Sequence, residues 1–294
     1  MRSPDPSAFE LVMETAAALA SGGVVSPGAD ARSLVAHVLG VEIKQMLTVS
    51  AVTPTQSESV AALVVRRLAG EPVQHLTGEA HFRYETLRVG PGVFIPRPET
   101  EQLVDLALDR LAGRPVCRRC VVELCAGSGA ITLSLARELG GLELHAVELS
   151  DEAWPYLVRN LEGIPVDLVH GDMADAFPQL AGSVDMLVAN PPYVPDPMRA
   201  QLPEDVVGRD PDLALFSGPD GLSALRVVRQ RAGQLLRPGG WVIVEHDESH
   251  TDEVVAMFGA PWFEATETHR DLAGRPRHVV ARRTPAPDMA GLGA

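Results

Sequence analysis

The sequence lacks the segments that mark a membrane or secreted protein. No clean apolar run reaches the length of a membrane-spanning helix. Near the N-terminus, Asp5, Glu10 and Glu14 stand where a secretory signal would need a basic and then an apolar stretch. We therefore expect a cytoplasmic protein without membrane contact. Its 294 residues are enough for one large domain or two modest ones.

Lysine is nearly missing as well. Lys44 is the only one, and the formal net charge is -14. Because proteins bind phosphate backbones through clustered Lys and Arg, this charge argues against a broad basic surface. We expect no direct nucleic-acid partner, although a local basic patch stays open.

Cysteine is scarce, with Cys117, Cys120 and Cys125 the only three. An odd, clustered set does not form a disulfide framework. Cys117 and Cys120 have the spacing of half a zinc site or a redox pair, but a second ligand pair and a helix start are missing. We expect reduced structural thiols and no metal, and a solvated polar loop over His246–His250.

Helical spacing dominates the chain from about Ser7 to Thr77. Breaks occur at Gly22-Gly23 and Ser26-Pro27-Gly28, and Thr53-Pro54-Thr55 offers start signals for a later helix. The pattern predicts an all-α bundle of roughly four or five short helices. Nothing in this bundle has the pattern of a catalytic site.

The pattern changes between Ala80 and Ile95, where polar and apolar residues alternate. Gly90-Pro91-Gly92 turns the chain within this stretch. A β-hairpin connector is predicted here. Pro98 then opens a helix whose first turn is acidic.

After Val116, short β-branched runs alternate with amphipathic helices, which is typical of a parallel sheet with helices on both faces. The predicted strands are 121–124, 143–148, 166–170, 184–189 and 241–245, with two more near 263–268 and 278–282. The helices between them are predicted near 130–139, 152–161 and 222–236. The predicted domains are therefore a helical bundle over 1–78, a hairpin connector over 79–97, an α/β domain over 98–284 and a disordered tail over 285–294.

A turn of small residues links the first strand of this sheet to its helix, and it allows a nucleoside-type cofactor to approach the backbone. The turn consists of Cys125, Ala126, Gly127, Ser128 and Gly129. The next strand ends in Glu148, whose carboxylate can accept hydrogen bonds from both ribose hydroxyls. Small residues alone also simply let a helix pack on a strand, but together with Glu148 they predict a cofactor site.

Two cofactors, NAD and S-adenosylmethionine, compete for this site. A dinucleotide needs a third glycine in the turn, and Thr132 occupies that position. The acidic Glu123 would repel a pyrophosphate, whereas it suits the ammonium group of a methionine moiety. At the end of the third strand, Asp172 suits an adenine amino group and Met173 suits the adenine ring. These residues favour S-adenosylmethionine.

The tetrapeptide Asn190-Pro191-Pro192-Tyr193 follows the fourth strand, next to where the cofactor would react. The prolines restrict the backbone. The Asn190 side-chain oxygen and the Pro191 carbonyl can hold both protons of a substrate amino group, with Tyr193 against its planar face. A plain proline turn is the simpler alternative, but the position favours methyl transfer to nitrogen. Adenine and glutamine amide both fit such a clamp.

With these residues assembled, the chain resembles the protein-(glutamine-N5) methyltransferases that modify the glutamine of the Gly-Gly-Gln motif in peptide chain release factors. The likeness covers nearly the whole chain. It includes residues 70–78, 93–101, the cofactor turn, 190–193, 218–222 and 271–274. The segment Ile95 to Glu101 is much more specific than the tetrapeptide, which adenine-N6 methyltransferases share.

The resemblance implies a Rossmann-like, seven-stranded class I S-adenosylmethionine-dependent methyltransferase domain whose last strand is antiparallel, preceded by a helical bundle that helps hold the release factor. It implies that the clamp Asn190 to Tyr193 binds the substrate amide. The implied cofactor residues are Glu123, Cys125, Ala126, Gly127, Ser128, Gly129, Glu148, Asp172, Met173 and Asn190. Three depart from the family pattern, because many members have Gly at 125, Asp at 123 and an aromatic residue at 173. We expect a monomer with release factors as its protein substrates.

Two alternatives remain. An adenine-N6 methyltransferase acting on DNA or RNA would use the same clamp on a flipped base, but it predicts a basic groove that the acidic balance disfavours. A non-catalytic scaffold that binds the cofactor and recognises release factors or ribosomal proteins would not need both Glu148 and Asn190.

Overall fold

The computed structural model describes residues 6–115, 119–201 and 209–285. They form two compact units. One contains the residues up to Glu79 together with Arg209, and the other contains the remaining described residues from Ala80 onward. Cys117 and residues 286–294 of the predicted tail lie outside the described residues.

The first unit is the small helical bundle that the sequence predicted. Its helices are Ala8–Ser21 (α1), Pro27–Leu39 (α2), Pro54–Leu68 (α3) and Val73–Thr77 (α4), with a 3-10 segment at Ile43–Thr48. Capping boxes start two of them, because the side chains of Ser7 and Thr53 accept hydrogen bonds from the backbone N–H groups of Glu10 and Gln56. Leu11, Leu34 and Val60 belong to its buried core.

A short hairpin begins the second stretch of the chain. Its strands are Glu79–Phe82 (β1) and Glu85–Arg88 (β2), which form a two-stranded sheet. The hairpin predicted up to Ile95 is therefore too long. Val93 and Ile95 are buried in the apolar core instead of pairing in a strand. The alternation of apolar residues here reflects their burial and not a β-strand.

Seven strands of the described residues form the main sheet, in the order β5-β4-β3-β6-β7-β9-β8. They are Cys120–Leu124 (β3), Glu143–Glu148 (β4), Val166–His170 (β5), Val184–Ala189 (β6), Leu236–Glu245 (β7), Phe263–Arg270 (β8) and Pro276–Arg283 (β9). The pairs among β3 to β7 are parallel, and β9 is antiparallel to both of its neighbours. The predicted fold class is confirmed.

One predicted strand starts too late. The strand β7 begins at Leu236, which pairs with Val184, whereas the sequence pattern placed its start at Trp241. Pro238, Gly239 and Gly240 interrupt the apolar pattern in between, and the register shifts between Val184 and Met186. Glycine and proline weaken a strand signal without preventing a bulged pairing.

Helices cover both faces of the sheet. They are Pro98–Ala112 (α5), Ala130–Glu138 (α6), Trp154–Asn160 (α7), Asp212–Leu215 (α8), Ser223–Leu235 (α9) and Thr251–Met257 (α10). Along β3 and β6 successive side chains alternate between two cores: Val121 and Met186 pack with α5, α6 and α7, whereas Val122 and Leu187 pack with α9 and α10. Among the described helices, none has both the length and the apolarity that a membrane crossing requires.

Arg83 fastens the hairpin turn to the helices α5 and α6. Its guanidinium donates two hydrogen bonds to Glu138, of 2.6 and 2.7 Å, and a third of 2.9 Å to the carbonyl of Glu101. It also lies 2.8 Å from Asp105, and its side chain is only 9% exposed. A bidentate pair in this environment holds a fixed geometry that a lysine does not reproduce.

We expect Arg83→Ala to lower the free energy of unfolding by about 3 kcal/mol, because it leaves a part-buried carboxylate without its partner. Chemical denaturation measures this change. The matched control is Lys44→Ala, which removes a fully solvated ion pair to Glu42 and should cause no measurable change. Equal midpoints for Arg83→Ala and wild type would contradict the role given to Arg83.

Candidate active site

A cavity of about 480 Å³ opens at the carboxyl edge of the parallel strands. Its lining contains nearly every predicted site residue: Glu123, Cys125, Ala126, Gly127, Ser128, Glu148, Asp172, Met173, Asn190, Pro191, Pro192 and Tyr193. The exception is Gly129, whose role is structural. Its φ is +82°, and a Cβ at this position would come within 2.9 Å of Leu157, which explains why the turn ends in glycine.

Glu148 is fixed at the end of β4 by the backbone. Its Oε2 accepts a hydrogen bond of 2.7 Å from the Gly127 N–H, and its Oε1 accepts one of 2.7 Å from the Ser150 N–H. Each carboxylate oxygen has a second lone pair, so both can still accept a hydrogen bond from a hydroxyl group on the cavity side. This geometry fits the pair of ribose hydroxyls of a nucleoside cofactor.

The cofactor turn is held by hydrogen bonds on both sides. The Ala126 N–H donates to the Val147 carbonyl at 3.0 Å, which ties the turn to the neighbouring strand. From α7, the Asn160 side-chain amide donates to the Ser128 carbonyl at 2.9 Å and to the Arg88 carbonyl at 3.0 Å. The turn is therefore positioned before any ligand arrives.

Glu123 is less acidic than its position in the sequence suggested. Burial raises the pKa of Glu123 to about 8; hydrogen bonds from Thr132 oppose this shift, and the charge of Glu148 adds to it. The carboxyl group is only 2% exposed, and its Oε2 accepts from the Thr132 N–H at 2.9 Å and from the Thr132 hydroxyl. The argument that its charge repels a pyrophosphate is thus weaker than the sequence indicated, whereas an arriving ammonium group would favour its ionised form.

Cys125 and Met173 face each other in the cavity wall, with Sγ and Sδ 3.5 Å apart. Burial, aided by the charge of Glu148, raises the pKa of the Cys125 thiol, so it stays protonated and unreactive. Cys125 has a φ of +59°, in the left-handed region that favours glycine. Cys125 therefore carries backbone strain that a glycine at this position would not.

The clamp tetrapeptide follows β6 directly. The Asn190 Nδ2 donates a hydrogen bond of 3.1 Å to the Thr100 hydroxyl. Burial, reinforced by the charge of Glu245, raises the pKa of Tyr193, so its hydroxyl is not available as a base. Behind the clamp, Val194 exchanges backbone hydrogen bonds of 2.8 and 2.9 Å with Leu215 and Ser217.

Sequence reasoning missed several residues of this wall. Thr100 lies within the specific segment Ile95 to Glu101, but no role was assigned to it. Phe94, Pro96 and the segment 213–217 also line the cavity. The segment 213–217 gave no signal, because it reaches the site through β-bridge pairing of Phe216 with Val194 rather than through a motif.

His246 is fully buried, and burial lowers its pKa, so the prediction of a solvated loop from His246 was wrong. Far from the cavity, at the amino ends of β3 and β4, ligand atoms of Cys120, Glu143 and His145 lie within 4.8 Å of one another. His145 already contacts Asp167 at 3.2 Å and Glu143 at 3.5 Å, which is an ordinary histidine–carboxylate arrangement.

The sheet order, the cofactor turn and Glu148 define an S-adenosylmethionine-dependent methyltransferase of class I. A general methyltransferase domain family matches residues 121–207, and the PrmC N-terminal domain family matches residues 10–78. The catalytic domain of hMettl16, solved in complex with the MAT2A 3′UTR hairpin 6, has a similar fold. Its TM-score is 0.51 at 15% identity, over 67% of this chain and 74% of that one.

The chain belongs to the release factor glutamine methyltransferases. The protein of that name from Streptomyces coelicolor is 46% identical over 267 residues, which cover 90% of this chain and 94% of the relative. A relative from Streptomyces pristinaespiralis is 36% identical, over 88% of this chain and 90% of its own. It is named 4-amino-L-phenylalanine/4-methylamino-L-phenylalanine methyltransferase.

We expect Glu148→Ala to raise the dissociation constant for S-adenosylmethionine by about 10- to 100-fold, because it removes charged acceptors and frees the Gly127 N–H. Titration calorimetry measures the constant. Glu162→Ala, which removes an exposed carboxylate outside the cavity, is the control. An unchanged constant for Glu148→Ala would refute the ribose assignment.

Two substitutions at one position separate strain from packing. Cys125→Ala removes the sulfur but keeps a Cβ at positive φ, whereas Cys125→Gly removes both. We expect the Gly variant to be more stable than the Ala variant by about 1 kcal/mol, because glycine tolerates this backbone conformation. Parallel thermal and denaturant unfolding compares them, and an Ala variant as stable as the Gly variant would show that no strain is present.

Proposed function

We propose that the chain methylates the side-chain amide nitrogen, N5, of the glutamine in the Gly-Gly-Gln motif of peptide chain release factors. The observation that supports this most is the meeting of two residue sets in one cavity. The nucleoside-type site around Glu148 and the clamp Asn190 to Tyr193 share its lining. Membership in the release factor glutamine methyltransferases supports the choice of glutamine over adenine.

An amide nitrogen is a weak nucleophile because its lone pair is delocalised into the carbonyl. The task of the site is therefore to orient the nitrogen. S-adenosylmethionine, when bound, supplies the methyl group on a positively charged sulfur. Asn190 Oδ1 and the Pro191 carbonyl would accept hydrogen bonds from the two N–H groups of the substrate amide. These bonds align the nitrogen and favour the positive charge that develops on it.

The clamp offers no strong base. The raised pKa of Tyr193 leaves its hydroxyl protonated near neutral pH. The surplus proton of the methylated amide would therefore leave to water after transfer. Alignment, more than proton abstraction, would set the rate.

We also propose that the bundle of α1 to α4 helps to hold the release factor. Its matched family, the PrmC N-terminal domain, supports a role tied to this enzyme class. The cytoplasmic location and the monomeric state stay predictions.

Transfer of labelled methyl from S-adenosylmethionine to a purified release factor tests the substrate. We expect label on the wild-type factor and none on a Gly-Gly-Ala variant of the factor. Duplex DNA, structured RNA and free 4-amino-L-phenylalanine form the other arms, and label on one of them with an unlabelled release factor would overturn the proposal. Peptide mass spectrometry then places the methyl group on the glutamine side chain.

We expect Asn190→Ala to lower kcat by about 100-fold or more, because it removes one of the two acceptors that align the amide. Its dissociation constant for S-adenosylmethionine should stay within a few-fold of wild type. Gln179→Ala, which truncates an exposed amide outside the cavity, serves as the control. Full turnover by Asn190→Ala would remove Asn190 from the mechanism.

A further inference from the structure

A chain of hydrogen bonds leads from the clamp into the protein interior. Asn190 Nδ2 lies 3.1 Å from the Thr100 Oγ1, and that hydroxyl lies 2.7 Å from Oε2 of Glu245. Thr100 is 4% exposed and Glu245 is 2% exposed. We call these three side chains the Asn190–Thr100–Glu245 relay.

Three separate elements bring the relay together. Asn190 follows β6, Glu245 ends β7, and Thr100 lies in the first turn of α5. The parallel pairing of Ala189 with Val244 brings the ends of the two strands level. Thr100 joins them from a helix that is 90 residues away from Asn190 in the sequence.

The relay has a fixed direction. A carboxylate offers only acceptors, so the single proton of the Thr100 hydroxyl is donated to Glu245. The Thr100 oxygen is then left as an acceptor, so it can only accept a hydrogen bond from Asn190. The Asn190 amide must therefore turn its NH2 group toward Thr100 and its Oδ1 away from it.

This direction matters for the reaction proposed above. A substrate amide nitrogen presents two protons, so the clamp needs an oxygen from Asn190. With the amide reversed, the Asn190 NH2 group would face the substrate NH2 group, donor against donor. The hydrogen bond that aligns the substrate nitrogen would then be lost.

We propose that Thr100 and Glu245 are positioning residues that set the polarity of the Asn190 amide, so that its oxygen faces the nitrogen to be methylated. The identity of that nitrogen rests on the proposed function. The polarity itself is a property of the protein alone, so it can be tested without any substrate.

Thr100→Val keeps the shape of the side chain and removes the hydroxyl. We expect kcat to fall by about 10- to 100-fold, because the Asn190 amide loses the hydrogen bond to Thr100 and can then adopt either orientation. The dissociation constant for S-adenosylmethionine should stay within about twofold, and KM for the release factor within about threefold. Thr100→Ser should restore most of kcat, and Glu245→Gln, which offers a donor as well as an acceptor, should fall between Val and wild type.

The matched control is Ser134→Ala in α6, because Ser134 is fully buried, its hydroxyl donates to the Ala130 carbonyl, and it does not line the cavity. It should leave kcat unchanged. Wild-type turnover by Thr100→Val, or an equal loss in Ser134→Ala, would overturn the positioning role. A rise in the cofactor dissociation constant that matches the loss of kcat would also overturn it, since that would indicate general damage to the cavity.

Nuclear magnetic resonance gives a readout that needs no substrate. The sequence contains only two asparagines, Asn160 and Asn190, so labelling with 15N-asparagine yields two pairs of side-chain NH2 peaks, one pair for each residue. We expect Thr100→Val to speed solvent exchange of the Asn190 side-chain protons while the Asn160 signal stays unchanged. An unchanged Asn190 signal would refute the relay even if the release factor is methylated, and a changed one would support it even if the true substrate is different.

Discussion

The register of the parallel strands is the constraint on which the whole site depends. Leu124 pairs with Ala189, and Ala189 pairs with Val244, so the strands β3, β6 and β7 end at the same level. The cofactor turn begins where β3 stops, the clamp begins where β6 stops, and Glu245 is the last residue of β7. Because side chains alternate between faces, a shift of one residue in β6 would turn its core residues to the other side and move Asn190 away from Thr100.

The elements that could be predicted are those whose signal is local. Strand β4 was predicted with its observed ends, since a short, largely apolar run that stops at Glu148 marks it directly. The cavity lining around Glu148 could also be predicted, because the small-residue turn and the end of the next strand are both visible in the sequence. In contrast, the start of β7 was hidden by Pro238 and its neighbouring glycines, because the pairing of Leu236 with Val184 depends on a partner strand that the local pattern does not contain.

The charge state of a site depends even less on local sequence. Glu123 reads as an anion in the sequence, yet burial raises its pKa to about 8. Glu148, by contrast, has both oxygens hydrogen-bonded to the backbone N–H groups of Gly127 and Ser150. Two carboxyl groups near the ends of adjacent strands thus have different environments, and only the three-dimensional packing distinguishes them.

The polarity of an asparagine presents a related problem, because its amide oxygen and nitrogen are nearly equal in size and packing cannot distinguish them. Hydrogen bonds must do so. Asn160 is oriented by backbone groups alone, since it accepts from the Arg88 N–H and donates to two carbonyls. Asn190 stands at a strand end whose surroundings must stay open to a ligand, so backbone groups cannot surround it. Its orientation is set from one side, and a one-sided relay defines a direction only if it ends in a group without protons to donate, as it does at Glu245.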